Sequence, residues 1–318
     1  MKRIKISLLS AAISLFFVIG AQAQDINQAI EFYNKGAEAV QAKDWATAIT
    51  QFDQALPMLE QFGDEGTEMA QQIKDLIPSL HYFLGQELAK NSKVNEAIVE
   101  LKKAIAMAEK YDELGTTAID AKKLIDQLNM STATALLNDK KYEEAIAAFK
   151  TVLEADPNNG TVYLYLGLSY ASLNNEPQAI ASFEKAIELG NKDAASRLAN
   201  IYLTQAQTAQ RSNPPKWTAV YDLAKKALAI TETTNANLMF GTAAVETKKY
   251  QEAITALDKV LSSNPTDQVK GNVIYRLAQA YEGLGKNSQA CGYYKQLLNN
   301  ATYKQMAEHK IKNVLKCE

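Results

Sequence analysis

The sequence predicts an all-α fold: about seven helical hairpins in series, closed by a C-terminal capping helix. Three observations carry that expectation. From Gln28 onward, apolar residues recur at three- and four-residue intervals, the period of an amphipathic helix. Only 14 Gly and 7 Pro occur among 318 residues, too few for a chain of short strands and tight turns. One pattern of small and aromatic residues also returns along most of the chain.

Residues 1–23 read as an address. Lys2, Arg3 and Lys5 precede an apolar run from Ile6 to Ile19, and small residues follow at Ala21 and Ala23. This is the order of a secretory signal peptide. A run of 14 residues is short for a hydrocarbon core of ~30 Å, so cleavage before Gln24 is expected, leaving no transmembrane segment. The whole chain carries 34 basic and 36 acidic residues, a formal charge of −2. Losing the three leading positive charges would take the mature chain to −5. No basic footprint for nucleic acid exists in either form.

The pattern is clearest at 161–186. Tyr163, Leu166, Gly167 and Tyr170 share one helix face, and Ala179, Phe183 and Ala186 share another. Asn174 and Asn175 break the chain between them. Small residues at Gly167 and Ala179 let two backbones approach, while Tyr170 and Phe183 fill the space beside them.

The same marks recur in order. Gly36, Ala48, Phe52 and Ala55 form a first copy, and Gly85, Ala97, Leu101 and Ala104 a second. Ala133, Ala145, Phe149 and Val152 form a third, and the stretch above is the fourth. A degenerate fifth has Ala199, Tyr202, Val220, Ala224 and Ala227. Gly241, Ala253, Leu257 and Val260 mark a sixth, and Leu277, Ala278, Tyr281, Ala290 and Tyr294 a seventh. This arrangement resembles the tetratricopeptide repeat, a helix-turn-helix unit of about 34 residues. The resemblance implies a right-handed superhelical solenoid over residues 24–318. Its copies fall near 29–62, 63–110, 111–159, 160–193, 194–233, 234–267 and 271–302, with a cap at 303–317.

Two copies depart from the regular period. The spacing from Ala48 to Ala97 is 49 residues, and from Ala97 to Ala145 it is 48. The surplus lies in 60–77 and 109–125, and about four helical turns would absorb it. Elongated helical hairpins are expected there rather than loops, with Pro78 kinking a helix or sitting near its start. The fifth copy has an excess at 205–216, which includes Pro214 and Pro215 and reads as a surface turn. The Lys-rich segment 303–316 is expected to form one capping helix.

Chemistry-bearing residues are sparse. The two cysteines, Cys291 and Cys317, lie 26 positions apart, and an oxidising compartment would let them pair. His81 occupies a slot held by aromatics in other copies and reads as a core residue, while His309 reads as solvated. Neither a phosphate-binding loop nor a nucleophile elbow is present. Pairs such as Glu143 and Glu144 start helices, where the dipole favours them. No catalytic residue, metal site or cofactor is expected, and the chain does not read as an enzyme.

In tetratricopeptide proteins the first helix of each hairpin lines a concave groove that takes peptides or protein segments. Carrying its most inward slot across the copies gives Tyr33, Tyr82, Met130, Leu164, Leu238 and Tyr275. The next slot gives Ala37, Gln86, Thr134, Leu168, Thr242 and Gln279. No Lys or Arg occupies these positions, so the carboxylate clamp of some relatives is absent. The resemblance therefore implies a non-enzymatic scaffold that binds a protein or peptide, with the periplasm of a Gram-negative bacterium as the expected compartment. An alternative is a structural component of an envelope assembly, touching partners through its convex face or its long N-terminal hairpins. A carbohydrate-binding groove is a third reading, disfavoured because no Trp falls in those slots.

Overall fold

The computed structural model describes residues 21–111 and 115–317. Most of the expected signal peptide therefore lies outside the described residues, and 21–23 open the first helix. Helices follow one another with no strand among the described residues. They are α1 (Ala21–Ala42), α2 (Trp45–Leu59), α3 (Asp64–Lys90), α4 (Val94–Lys110), α5 (Thr117–Asn138) and α6 (Tyr142–Ala155). Next come α7 (Gly160–Ser172), α8 (Glu176–Glu188), α9 (Lys192–Arg211), α10 (Trp217–Ile230), α11 (Thr234–Glu246) and α12 (Tyr250–Ser262). The last are α13 (Asp267–Gly283), α14 (Asn287–Gln296) and α15 (Lys304–His309). Most helices pack chiefly on their neighbours in sequence, as in the pairs α1/α2, α3/α4, α7/α8, α9/α10, α11/α12 and α13/α14.

The chain divides into two units, residues 1–139 with 147–155, and residues 140–146 with 156–318. In the first, Ala29, Phe52, Leu59, Ile73 and Ile77 form a core from α1, α2 and α3. Leu101, Ala104 and Ala121 join α4 to α5. In the second, one cluster gathers Phe183, Leu198 and Tyr202, a second Val220, Phe240 and Leu257, and a third Ile274, Tyr294 and Ala307. Each cluster is local, as expected of a repeat fold that buries apolar surface between adjacent hairpins.

Hairpin packing rests on two conserved contacts within the chain. The Ala residues at the second-helix slot, Ala48, Ala97, Ala145, Ala179, Ala253 and Ala290, are all 0% exposed. In four of these hairpins a first-helix glycine faces a large side chain. A Cβ added to Gly36 would lie 2.6 Å from the Phe52 ring, and one added to Gly85 would lie 2.7 Å from Leu101 Cγ. Gly241 stands in the same way 2.7 Å from Leu257 Cγ.

The turns repeat as faithfully as the helices. After α1 the N–H of Lys43 donates to Val40 O, and that of Asp44 reaches back to Ala39 O. The same pair of bonds, three and five residues back, recurs at Ser92/Lys93, Asn174/Asn175, Gly190/Asn191, Lys248/Lys249 and Gly285/Lys286. This is the Schellman termination, which puts its middle residue in the left-handed region. Accordingly φ is 60° at Lys43, 62° at Ser92, 56° at Asn174, 61° at Lys248, 83° at Gly190 and 71° at Gly285. Side-chain caps then start the following helices at Asp44, Asn175 and Asn191, each accepting backbone N–H bonds from the first turn.

The surplus N-terminal residues lengthen helices, as expected: α3 has 27 residues and α5 has 22, against 13 in α7. The join is not seamless, because a 3₁₀ turn at Glu60–Phe62 and Gly63, at φ 55°, separate α2 from α3. Pro78 lies inside α3 rather than near its start.

Two expectations need correction. The segment 205–216 is not all turn: α9 continues to Arg211, with Ala206 fully buried, and only 212–216 form the connection. Its first residues are Gln, Ala and Thr, which continue a helix, and the prolines act only at 214–215. The cap is not one helix either. The six-residue α15 passes into a π-helical turn at Lys310–Val314, in which Leu315 N–H donates to Lys310 O. Cys317 N–H then reaches Ile311 O, and Cys291 and Cys317 form the disulfide with a Cα–Cα distance of 5.8 Å.

Candidate functional site

The slot residues divide between the units. Tyr33, Tyr82, Gln86 and Met130 belong to the first, and Leu164, Leu168, Leu238, Tyr275 and Gln279 to the second. They do not share one fate. Tyr33 is 4% exposed and donates its hydroxyl proton to Gln72 Oε1 on α3. Leu164 is 8% exposed within the α7–α9 core. Thr242 is likewise buried. These three hold helices together and offer little surface.

Tyr82, Gln86, Met130, Leu168, Leu238, Tyr275 and Gln279 are half-buried. Leu168 and Leu238 lie against core clusters, so their free surface is apolar. Met130 offers its thioether, while its carbonyl accepts a bond from Thr134 Oγ1 at 2.8 Å.

Two slots pair in the same way in different units. Gln86 Nε2 donates to the Tyr82 hydroxyl oxygen at 2.8 Å, and Gln279 Nε2 donates to the Tyr275 hydroxyl oxygen at 3.0 Å. The helical repeat causes this, since residues four apart lie one above the other on a face. Burial pushes the Tyr82 hydroxyl above its ordinary pKa, and the Asp120 charge adds to the effect against an opposing bond from Gln86. The phenol therefore keeps its proton at neutral pH. With its oxygen accepting from Gln86, that proton is the group Tyr82 can direct to an acceptor.

The sequence reading missed the partners of the second pair. Arg276 Nη1 lies 2.5 Å from Glu246 Oε1 at the end of α11 and 3.1 Å from Gln279 Oε1. The guanidinium carbon stands 5.8 Å from the Tyr275 ring centroid. A cation thus borders the slot, neutralised by a carboxylate 30 residues away, and only the packing of α11 on α13 reveals it. Tyr303, just before α15, stacks on Tyr275 with centroids 5.1 Å apart and planes at 26°.

His81 is 5% exposed, and its Nδ1 lies 2.7 Å from Glu100 Oε2. Burial raises the Glu100 pKa, but bonds from Lys103 and His81 outweigh it and hold the carboxyl below its ordinary value. This group ties α3 to α4. Among the described residues, no cluster of three or more His, Cys, Asp or Glu could hold a metal ion, and no helix is long and apolar enough to cross a membrane.

Serial helical hairpins, most of them closed by the same turn and four of them by a glycine set against a Phe or Leu side chain, define a helical-repeat scaffold. Residues 131–194, 234–267 and 272–301 each match the tetratricopeptide repeat family, and in these segments the chain carries tetratricopeptide repeats. Such repeats are protein-interaction scaffolds and are in general not enzymes.

A Xenopus laevis relative, tetratricopeptide repeat protein 37, is 24% identical over 166 residues, covering 46% of this chain and 10% of its own length. The human superkiller complex protein 3 is 33% identical over 75 residues, 23% of this chain and 5% of that protein. The chain thus spans a tenth or less of these curated relatives. Among solved structures, YrrB, a tetratricopeptide-repeat protein with an unusual peptide-binding site, is similar with 21% identity and a TM-score of 0.38. That likeness covers 63% of this chain and 98% of YrrB.

Proposed function

We propose that this chain is an exported scaffold that holds an extended peptide segment of a partner protein against its first helices. The observation that carries this reading is the recurring Tyr–Gln pair, Tyr82/Gln86 and Tyr275/Gln279. A peptide unit presents one N–H donor and one C=O acceptor. The Tyr82 hydroxyl proton suits the carbonyl, and Gln86 Oε1 suits the N–H. Apolar side chains in the same slots add contact surface within each unit, Met130 in the first and Leu168 and Leu238 in the second. The slots favour an uncharged stretch of peptide, because Arg276 is already engaged by Glu246 and Gln279. The pattern of residues 1–23 supports export, and a Gram-negative periplasm is the compartment we assign.

Selection of short peptides from a displayed library on the full chain tests the reading. Bound peptides should lose about tenfold in affinity on Gln86→Ala or Tyr82→Phe, with an unchanged melting temperature. Equal affinity in both variants would overturn it. Tyr33 is unsuitable for this purpose, because its truncation would open the core.

One observation favours a second reading, that of an envelope assembly component. Val99 on α4 and Ile119 on α5 are 52% and 67% exposed and offer apolar side chains on the long helices. Val99→Glu/Ile119→Glu would then abolish co-purification of a larger partner and leave peptide binding intact. Unchanged co-purification would remove this reading.

A further inference from the structure

The C-terminal segment covers the last hairpin with little holding it there. The helix α15 has six residues, well below the roughly 12–15 that a helix needs to persist alone. Among residues 303–317, Ala307 is the one fully buried residue, while Met306, Ile311 and Leu315 are half-buried against the α13–α14 cluster. Lys310 Nζ pairs with Glu282 Oε1 at 2.7 Å, with about a quarter of each side chain exposed, so salt screens the pair in part. The remaining fastening is covalent, Cys291 to Cys317. Tyr303 meanwhile lies on the Tyr275 ring, a surface that a bound segment would otherwise use.

We infer that residues 303–317 form a disulfide-fastened strap over α13, and that a dithiol reductant releases it and uncovers the Tyr275 ring. The use of that ring as binding surface rests on the peptide-scaffold reading above. Cys291 is 9% exposed and Cys317 more so, which makes the Cys317 sulfur the point of attack. A thiolate of the reductant bonds to Cys317 Sγ and breaks the disulfide, and Cys291 leaves as a thiolate that takes up a proton. The second thiol of the reductant then closes on the first sulfur and expels Cys317. Two electrons and two protons pass to the protein, and the reductant leaves as its own disulfide. With the tether gone, the strap keeps its apolar contacts, the Tyr303–Tyr275 stack among them, and one partly screened ion pair.

Hydrogen exchange of the full chain, oxidised and reduced with dithiothreitol, reads the release directly. Amides of 304–317 should exchange at least tenfold faster after reduction and in Cys291→Ala/Cys317→Ala, while α1 to α12 stay unchanged. The probe for the opened surface is a labelled synthetic peptide of residues 300–317 with serine in place of cysteine. It should bind the Cys291→Ala/Cys317→Ala chain at least tenfold more tightly than the oxidised protein. Equal protection of 304–317 in oxidised and reduced protein, or equal binding of the probe to both forms, would overturn the proposal. The peptide-scaffold reading fails separately, at Tyr82 and Gln86, which the strap does not touch.

Discussion

Gly167 meets the face of Phe183 so closely that a Cβ on the glycine would lie 2.6 Å from ring atoms Cδ1 and Cε1. The Phe183 ring is 1% exposed and cannot swing into solvent. Glycine here is a spacing device, although it costs the helix about 1 kcal/mol relative to alanine. Overpacking a tight contact costs about 1–3 kcal/mol, so the clash outweighs the gain. Gly167→Ala should destabilise the protein by about 1–2 kcal/mol in urea titration. Gly292, in α14 with open space where its Cβ would be, is the control. Gly292→Ala should stabilise by about 0.5–1 kcal/mol. The same sign for both would refute the spacing argument.

The repeated turn makes an opposite kind of prediction. Lys248 stands at φ 61° where glycine would carry no steric penalty, and its N–H bond to Val245 O belongs to the backbone alone. A side chain in the left-handed region costs roughly 1–2 kcal/mol, offset in part by the larger unfolded-state entropy of glycine. Lys248→Gly should therefore raise stability by about 0.5–1 kcal/mol, measured by chemical denaturation. Ser92→Gly should behave alike. A loss in both would show that the native side chains contribute more than the turn geometry indicates.

Acid should loosen the α3/α4 hairpin through Glu100. Its carboxyl is held below the ordinary value of 4.5 in the folded chain. A depressed carboxylate pKa stabilises the fold above the unfolded value, and the contribution disappears as pH falls through the folded one. Glu100→Gln should thus cost stability at pH 7, and the gap to wild type should narrow below about pH 4.5. A gap that stays constant down to pH 3 would contradict the assignment.

Tyr294 is a further buried polar anchor. It is 0% exposed and donates its hydroxyl to Glu282 Oε2 at 2.8 Å, while Glu282 also pairs with Lys310. Burial is the main reason its pKa is raised far above the ordinary tyrosine value, with Glu282 adding to it. A hydrogen bond to a charged group is worth about 1.5–3 kcal/mol, and Tyr294→Phe should lower stability by that order. Thermal unfolding of the variant checks it, and a change below about 0.5 kcal/mol would count against the anchor.

Helix content and the repeated contact were legible because both are local. Gly36, Ala48 and Phe52, or Gly241, Ala253 and Leu257, lie within 17 residues of one another, and their periodicity names their faces. The added helix in α3 and α5 was legible for the same reason. What escaped depends on register between hairpins. Tyr33 reads as a free inward aromatic until Gln72 on α3 arrives against it, and the Arg276–Glu246 pair spans 30 residues. The π-helical turn before Cys317 escaped as well, since a Lys-rich helical stretch carries no mark of widening.

Pairing each helix mainly with its sequence neighbour has a kinetic consequence. A contact such as Gly85 with Leu101 closes a loop of fewer than twenty residues, so little chain entropy is lost before it forms. Proteins rich in such contacts cross low barriers and fold on microsecond to millisecond timescales. Nascent hairpins of this chain could therefore mature one by one as they emerge from the ribosome. On the proposal that the chain is exported, a chaperone keeping it extended for translocation would have to bind faster than that.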